Sequence, residues 1–358
     1  MLEAECIDSL KTAWSFPQVE KLVQEIVWRT YWKGWLEQRP SVWTDYLTWL
    51  QHRLPTLPEN ILTEIDAVEQ GHSGVAFMDA LTHELKTTGY LHNHARMWFA
   101  AFWIHTRKLP WQAGADFFYR HLLDADPASN TLSWRWVAGL QTPGKSYLVR
   151  QSNLDKYADP DLLTNLAGLD ELDDARAMAA SLPAEPNPPP QPLPKAFRAP
   201  FESGSISGPH ALWLHWDDLC PASSELADMP PPAVVLAVWP AALVKSWSPV
   251  KTAHFRRALQ DGLNRAAAVF GCPGIWLESD HPAAALTDWL GAHDVRHLTA
   301  MRPLTGDWSE VVAALEAAGV SASWCCRDWD RRWFPKATKG FFGFWESARP
   351  TLAAEWTA

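Results

Sequence analysis

Eight prolines fall between residues 181 and 204, in the run Ser181-Leu-Pro-Ala-Glu-Pro-Asn-Pro-Pro-Pro-Gln-Pro-Leu-Pro194 and onward. Each proline removes a backbone donor and fixes φ, so the stretch can form neither helix interior nor central strand. It reads as a stiff extended linker. A docking segment for a proline-recognising module is the second reading. The chain is 358 residues long, enough for about two domains, and it breaks here.

The two sides carry different periodicities. Upstream, Val19, Leu22, Val23, Ile26 and Val27 recur at three- and four-residue steps, and Trp28 and Trp32 continue the stripe. Phe77, Met78, Leu81 and Leu85 form a second stripe, and Ala95, Trp98, Phe99 and Phe102 a third. Prolines at 40, 55, 58, 110, 127 and 143 punctuate them. The expectation for 1–180 is all-α. Downstream, Ala211–Trp216, Ala233–Trp239, Gly274–Ser279, Val295–Thr299 and Val320–Cys326 read as strands, with helices over 249–270, 282–292 and 308–318. Strands alternating with helices predict a doubly wound parallel sheet over 205–358. The expected fold class is therefore α and α/β in two domains, 1–180 and 205–358, joined by the linker 181–204.

Charge and cysteine usage narrow the function. There are 31 basic and 41 acidic residues, which gives −10 and disfavours a strongly basic nucleic-acid module. The five cysteines (Cys6, Cys220, Cys272, Cys325, Cys326) show no CxxC, so neither a disulfide framework nor a metal ribbon is expected. No metal site is expected from the scattered histidines either. The usage fits a reducing, cytoplasmic setting. No apolar run approaches ~18 residues, so no membrane span is predicted. The acidic Met1-Leu-Glu-Ala-Glu start does not read as a signal peptide. Tryptophan is the anomaly, at 23 residues. Bulky cores and stacking surfaces are one explanation. Electron relays and flat-cofactor pockets are the other.

The most specific signal lies between Gly71 and Trp136. Thr88-Gly-Tyr-Leu-His-Asn-His-Ala-Arg-Met97 is followed by Trp111, then by Leu123-Asp-Ala-Asp-Pro-Ala-Ser-Asn130-Thr-Leu-Ser-Trp134-Arg-Trp136. This resembles the flavin-binding core of the photolyase/cryptochrome family, which reads Thr-Gly-Trp-Met-His-Asn-Arg-x-Arg-Met, then Asp-x-Asp-x-Ala-x-Asn-x-Gly-x-Trp-Gln-Trp. Glu25-Ile-Val-Trp28-Arg29 is similar to its Glu-x-x-Trp-Arg helix. Leu212-Trp-Leu-His-Trp-Asp-Asp-Leu219 and Phe341-Phe-Gly-Phe-Trp345 resemble the opening and closing motifs of the family's α/β domain. That domain comes first in the family and last here. The resemblance implies a circularly permuted order, with the proline-rich stretch as the new joint.

The resemblance implies bound FAD. Asn130 would face the flavin N5, the Arg96–Asp124 pair would lie buried beside the ring, Asp126 would meet the ring edge or ribityl chain, Asn93 would hold the folded cofactor, and Arg29 would assist. Trp134 and Trp111 match two members of the family's electron relay. The third aligns with Pro58, so Trp98, Trp103 or a tryptophan of the 28–49 cluster would have to substitute. Glu25, Trp28, Met97 and Trp136 match the residues that hold a damaged pyrimidine. The implied activity is blue-light, one-electron photochemistry, with repair of pyrimidine dimers in DNA leading. The alternatives are a light or redox sensor acting through a signalling protein, and a scaffold without flavin.

Three departures bear on this reading. The family's phosphate-binding stretch, Thr-Ser-x-Leu-Ser-Pro-Tyr-Leu-x-x-Gly, is absent from the sequence. The family's Arg after Asn93 is His94. Residues 1–180 carry 16 basic against 23 acidic side chains, whereas affinity for DNA rests on neutralised phosphates. Gly139-Leu-Gln-Thr-Pro-Gly-Lys145-Ser146 fits the GxxxxGK[ST] phosphate loop, but Tyr147-Leu-Val-Arg-Gln is a poor helix start and the segment reads as a loop.

Overall fold

The computed structural model describes residues 3–142, 147–149, 151–160, 165, 167–172, 187–199 and 208–356. Nine α-helices are described upstream of the prolines: α1 (Glu3–Lys11), α2 (Phe16–Glu37), α3 (Ser41–His52), α4 (Glu59–Glu69), α5 (Ala76–Thr88), α6 (Asn93–Ala101), α7 (Trp111–His121), α8 (Pro127–Val137) and α9 (Gln151–Tyr157). Downstream the order is β1 (His210–Leu214), β2 (Val234–Pro240), α10 (Pro249–Phe270), β3 (Gly274–Ser279), α11 (Pro282–Ala292), β4 (His297–Met301), α12 (Ser309–Ala317), β5 (Ser321–Cys325), α13 (Asp328–Trp333) and α14 (Phe341–Ala354). The five expected strands and three expected helices are all present, within a few residues. So is the two-part α and α/β fold.

The sheet is wholly parallel, in the order β3-β2-β1-β4-β5. β1 and β2 are buried along their full length, and apart from His210 their sequences are apolar, as strands covered on both faces require. Trp213, Leu236, Val238, Leu298 and Trp308 form the centre of that core. The edge strands β3 and β5 keep exposed positions. Strand order reverses between β1 and β4. The loop after β1 is tied at that point by Asp218, which takes two bonds from Arg327, at 2.6 and 2.8 Å.

The compact units do not follow the expected boundaries. One unit comprises Met1–Pro40, Pro190–Lys245 and His254–Ala358; the other comprises Ser41–Pro189 and Ser246–Ala253. The physical reason lies in α2. Ser15 starts it, its N–H donating to Gln18 Oε1 at 3.0 Å, and Pro17 fills the first turn. Its stripe of Val19, Val23, Val27, Tyr31 and Trp35 is buried within the sheet-bearing unit. Gly34 allows the closest approach there, since a Cβ would lie 2.8 Å from the Phe334 Cα.

The proline-rich stretch also differs from a free linker where it is described. The Gln191 N–H donates to the Gln38 carbonyl at 2.7 Å. Leu193 and Phe197 are buried with Phe334 and Cys326. Two large apolar anchors set among rigid prolines favour docking, because little chain entropy is left to lose. Residues 181–186 and 200–204 lie outside the described residues, as do positions 143–146 of the phosphate-loop-like segment.

Candidate functional site

α8 is set by its cap. Asp126 Oδ1 accepts the Ser129 N–H at 2.8 Å, and Pro127 opens the helix. Asn130 and Trp134 follow at four-residue spacing and share a face. Asn130 is buried, and its Nδ2 donates to the Ala115 carbonyl at 2.8 Å. That bond fixes the amide and leaves its oxygen as an acceptor. Trp134 is buried over Gly114, where a Cβ would fall 2.4 Å from the indole ring. Helices α7 and α8 can therefore meet this closely only because residue 114 has no side chain.

The Arg96–Asp124 pair forms as expected. Nη1 meets Oδ1 and Nη2 meets Oδ2, each at 3.0 Å, while Nε donates to the Leu91 carbonyl. Its environment corrects the expectation of burial. Asp124 is 53% exposed, because it sits in the turn ahead of α8 rather than in a helix face. Asn93 is exposed in the first turn of α6, and Met97 and Trp136 are half-buried. His94 stacks on Tyr157 with ring centres 4.5 Å apart, and His92 lies behind it at 5.3 Å.

Around Trp134 the aromatic packing is dense. Phe118 lies 5.0 Å away and Trp103 6.2 Å, both edge-on. Trp103 belongs to a π-helical turn, Phe102–Thr106, and its Nε1 donates to the Pro110 carbonyl at 2.9 Å. Trp111 instead stacks on Tyr46 at 5.8 Å, and Tyr46 contacts Trp43 at 5.3 Å. Trp98 packs on Phe77 and His94. Of the substitutes considered for the third relay position, Trp103 is thus in contact with Trp134. Burial, with Arg120, Lys86 and Lys251 nearby, pushes the His121 imidazole down to about 4.

Glu25, Trp28 and Arg29 lie on α2, in the Met1–Pro40 part of the first unit. Glu25 is exposed. Arg29 pairs with Glu3 at 3.2 Å. One face of Trp28 is covered by Phe341, stacked at 3.4 Å. Among the described residues no group of three or more metal-ligating side chains occurs, and no helix is long and apolar enough to cross a membrane.

Three features escaped the sequence reading. The Ala115 carbonyl that orients Asn130 carries no side-chain signal. Gly114 inside an otherwise helical run was a signal of close approach. The π-helical turn that brings Trp103 to Trp134 has no sequence mark.

Asn130 on its capped helix, the Arg96–Asp124 pair and the packed tryptophans all lie within one stretch of the chain that has a counterpart among known proteins. Residues 22–161 match the family model described as the FAD binding domain of DNA photolyase. Over that stretch the chain is similar to the photolyase/cryptochrome family, and the cofactor that the match supports is FAD. It is 34% identical over 128 residues to a deoxyribodipyrimidine photo-lyase of Streptomyces griseus, covering 34% of this chain and 26% of that one. It is 27% identical over 133 residues to the enzyme of that name from Escherichia coli, covering 35% and 26%. A chloroplastic/mitochondrial cryptochrome DASH of Solanum lycopersicum is 32% identical over 112 residues, covering 28% and 19%. A solved bacterial class III photolyase from Agrobacterium tumefaciens matches 48% of this chain and 40% of that one, at 23% identity and a TM-score of 0.37. The chain thus spans about a quarter of the curated relatives it matches.

The residues present fit the isoalloxazine end of FAD. Asn130 offers a fixed acceptor, and the half-open Arg96–Asp124 pair offers charge. For the diphosphate, the family's sequence motif is missing from the chain.

Proposed function

We propose that this chain binds FAD through Asn130, Arg96, Asp124, Asp126 and Asn93, and that it performs blue-light-driven one-electron transfer. The observation that carries the reading is Asn130, locked by Ala115 with its oxygen left to accept, one turn from the buried Trp134. When bound, FAD supplies light absorption and one-electron chemistry. The chain's own work is positional. Asn130 would accept a hydrogen bond from the ring, and the Arg96 guanidinium would stabilise negative charge beside it. The surrounding aromatics Trp103, Phe118 and Trp134 exclude water. Trp134 and Trp111 act as relay residues, with Trp103 in the third role.

The proposed substrate is a cyclobutane pyrimidine dimer in DNA, with Met97 and Trp136 packing against the flipped bases. The α/β part is read as the family's first domain, moved to the end. A reducing, cytoplasmic setting agrees with the five free cysteines. A second reading, a light or redox sensor with a protein partner, draws on two observations. Phe341 covers one face of Trp28, and His94 is stacked on Tyr157 where the family carries an arginine.

The test is the visible spectrum of the purified protein, with the released chromophore identified by mass. FAD is expected, and its loss is expected in Asn130→Ala and Arg96→Ala. Illumination with a reductant and a dimer-containing oligonucleotide then separates repair from sensing. Failure to take up added FAD overturns the photochemical reading.

A further inference from the structure

Six of the 23 tryptophans take no part in the function proposed above. They form one unbroken contact series inside the sheet-bearing unit. Trp324 lies 6.3 Å from Trp213, Trp213 5.5 Å from Trp308, and Trp308 4.4 Å from Trp216. Trp216 lies 6.1 Å from Trp239, and Trp239 6.1 Å from Trp276. The two ends, Trp324 and Trp276, are half-buried; Trp213 and Trp308 are sealed. Shape-filling alone does not require indoles at every position, because Leu and Phe fill cores without a polar atom to satisfy.

The surroundings of the six differ in charge. Arg302 sits 5.7 Å from the Trp324 ring. Arg256 sits 5.4 Å from Trp239 and 5.3 Å from Trp276, with Glu278 paired to it at 2.7 Å. A cation over an indole face opposes a second positive charge on that ring. The Nε1 groups of Trp213 and Trp308 are buried with no acceptor, so an electron lost there leaves a radical cation that cannot shed its proton. Trp216 is the contrast. Its Nε1 donates to Asp307 Oδ2 at 3.3 Å.

We propose that this series is an electron-hole conduit that drains to Trp216. An external one-electron oxidant removes one electron from an end tryptophan and is itself reduced by one. The hole then passes by successive single-electron steps to Trp216. There the Nε1 proton moves to the Asp307 carboxylate, which leaves a neutral indolyl radical and a carboxylic acid. A thiol then gives one hydrogen atom to the indolyl nitrogen and becomes a thiyl radical, while the Asp307 carboxylic acid releases its proton to water, which restores both side chains. The conduit needs no flavin and stands apart from the function proposed above.

The experiment uses the full-length chain, Trp216→Phe and Asp307→Asn, with flash-generated tris(bipyridyl)ruthenium(III) as oxidant. Transient absorption distinguishes radical cation from neutral radical. Peptide mass mapping then locates oxygenated tryptophan. The wild type is expected to show a neutral radical, with the product at Trp216 in preference to Trp14, which is 54% exposed. Asp307→Asn is expected to convert the signal to the radical cation and to lose the Trp216 product. It keeps the shape of the site, so it serves where Trp216→Phe fails to fold. Products that follow exposure, a product that accumulates at Trp276, or an Asp307→Asn pattern identical to wild type would each overturn the conduit.

Discussion

Gly114 controls how near α7 comes to α8, and so where Trp134 sits. Its missing Cβ would lie 2.4 Å from two atoms of that indole. Gly114→Ala should destabilise the fold by about 1–3 kcal/mol, the usual range for overpacking. It should also alter the near-ultraviolet circular dichroism through Trp134. Denaturant unfolding and that spectrum test it; an unchanged spectrum would show that the indole does not depend on the glycine. At this scale the sequence was informative where a side chain does the work. Asn130, Trp134, Arg96 and Asp124 were all named as candidates by the resemblance of their motifs to the flavin-binding core. It was silent where a carbonyl does the work, as Ala115 does for Asn130. It misjudged Asp124, because a motif gives a partner without giving its exposure.

Elements were legible where burial is complete. Val234–Pro240 is apolar almost throughout and is a buried central strand. The helix stripes were equally plain, but a stripe does not name what it packs against. Thus α2, read as part of a helical half, buries its stripe in the sheet-bearing unit, and Trp28 meets Phe341 from α14. The proline-rich stretch was misjudged for a related reason. Its prolines announce extension, while Leu193 and Phe197 decide whether the extended chain docks. Phe197→Ala should cost about 3–5 kcal/mol, as truncation of a buried aromatic does. Urea unfolding measures it; a cost below ~1 kcal/mol, the range of ordinary surface changes, would mean the segment is only loosely held.

For the whole molecule, half-buried Asp330 and buried His215 bear on the response to pH. Burial pushes the Asp330 carboxyl up to about 7, against the pull of Lys33. Its folded value lies above its unfolded one, so its contribution is full in acid and is lost as pH rises through 7. Burial pushes His215 down to about 4, despite its bond to the Met301 carbonyl. The unfolded chain takes up that proton first, so this group withdraws stability as pH falls from about 6.5 toward 4. Asp330→Asn removes the first effect and keeps the second. The melting temperature of the variant relative to wild type should therefore climb between pH 5 and 8. A difference that stays flat across that range would show that the Asp330 carboxyl is not raised in the folded protein.

The division of the chain also has a consequence in time. Residues 1–40 leave the ribosome well before the partners that bury them, which begin at Pro190 and run on toward Ala358. At ~5–20 residues per second, the α2 stripe waits on the order of tens of seconds for its sheet. The Ser41–Pro189 segment is made meanwhile, and all but the short 246–253 piece of its unit is then available. A nascent chain of this kind exposes Val23, Val27 and Trp35 for most of its synthesis, and it depends on whatever shields apolar helices at the exit tunnel.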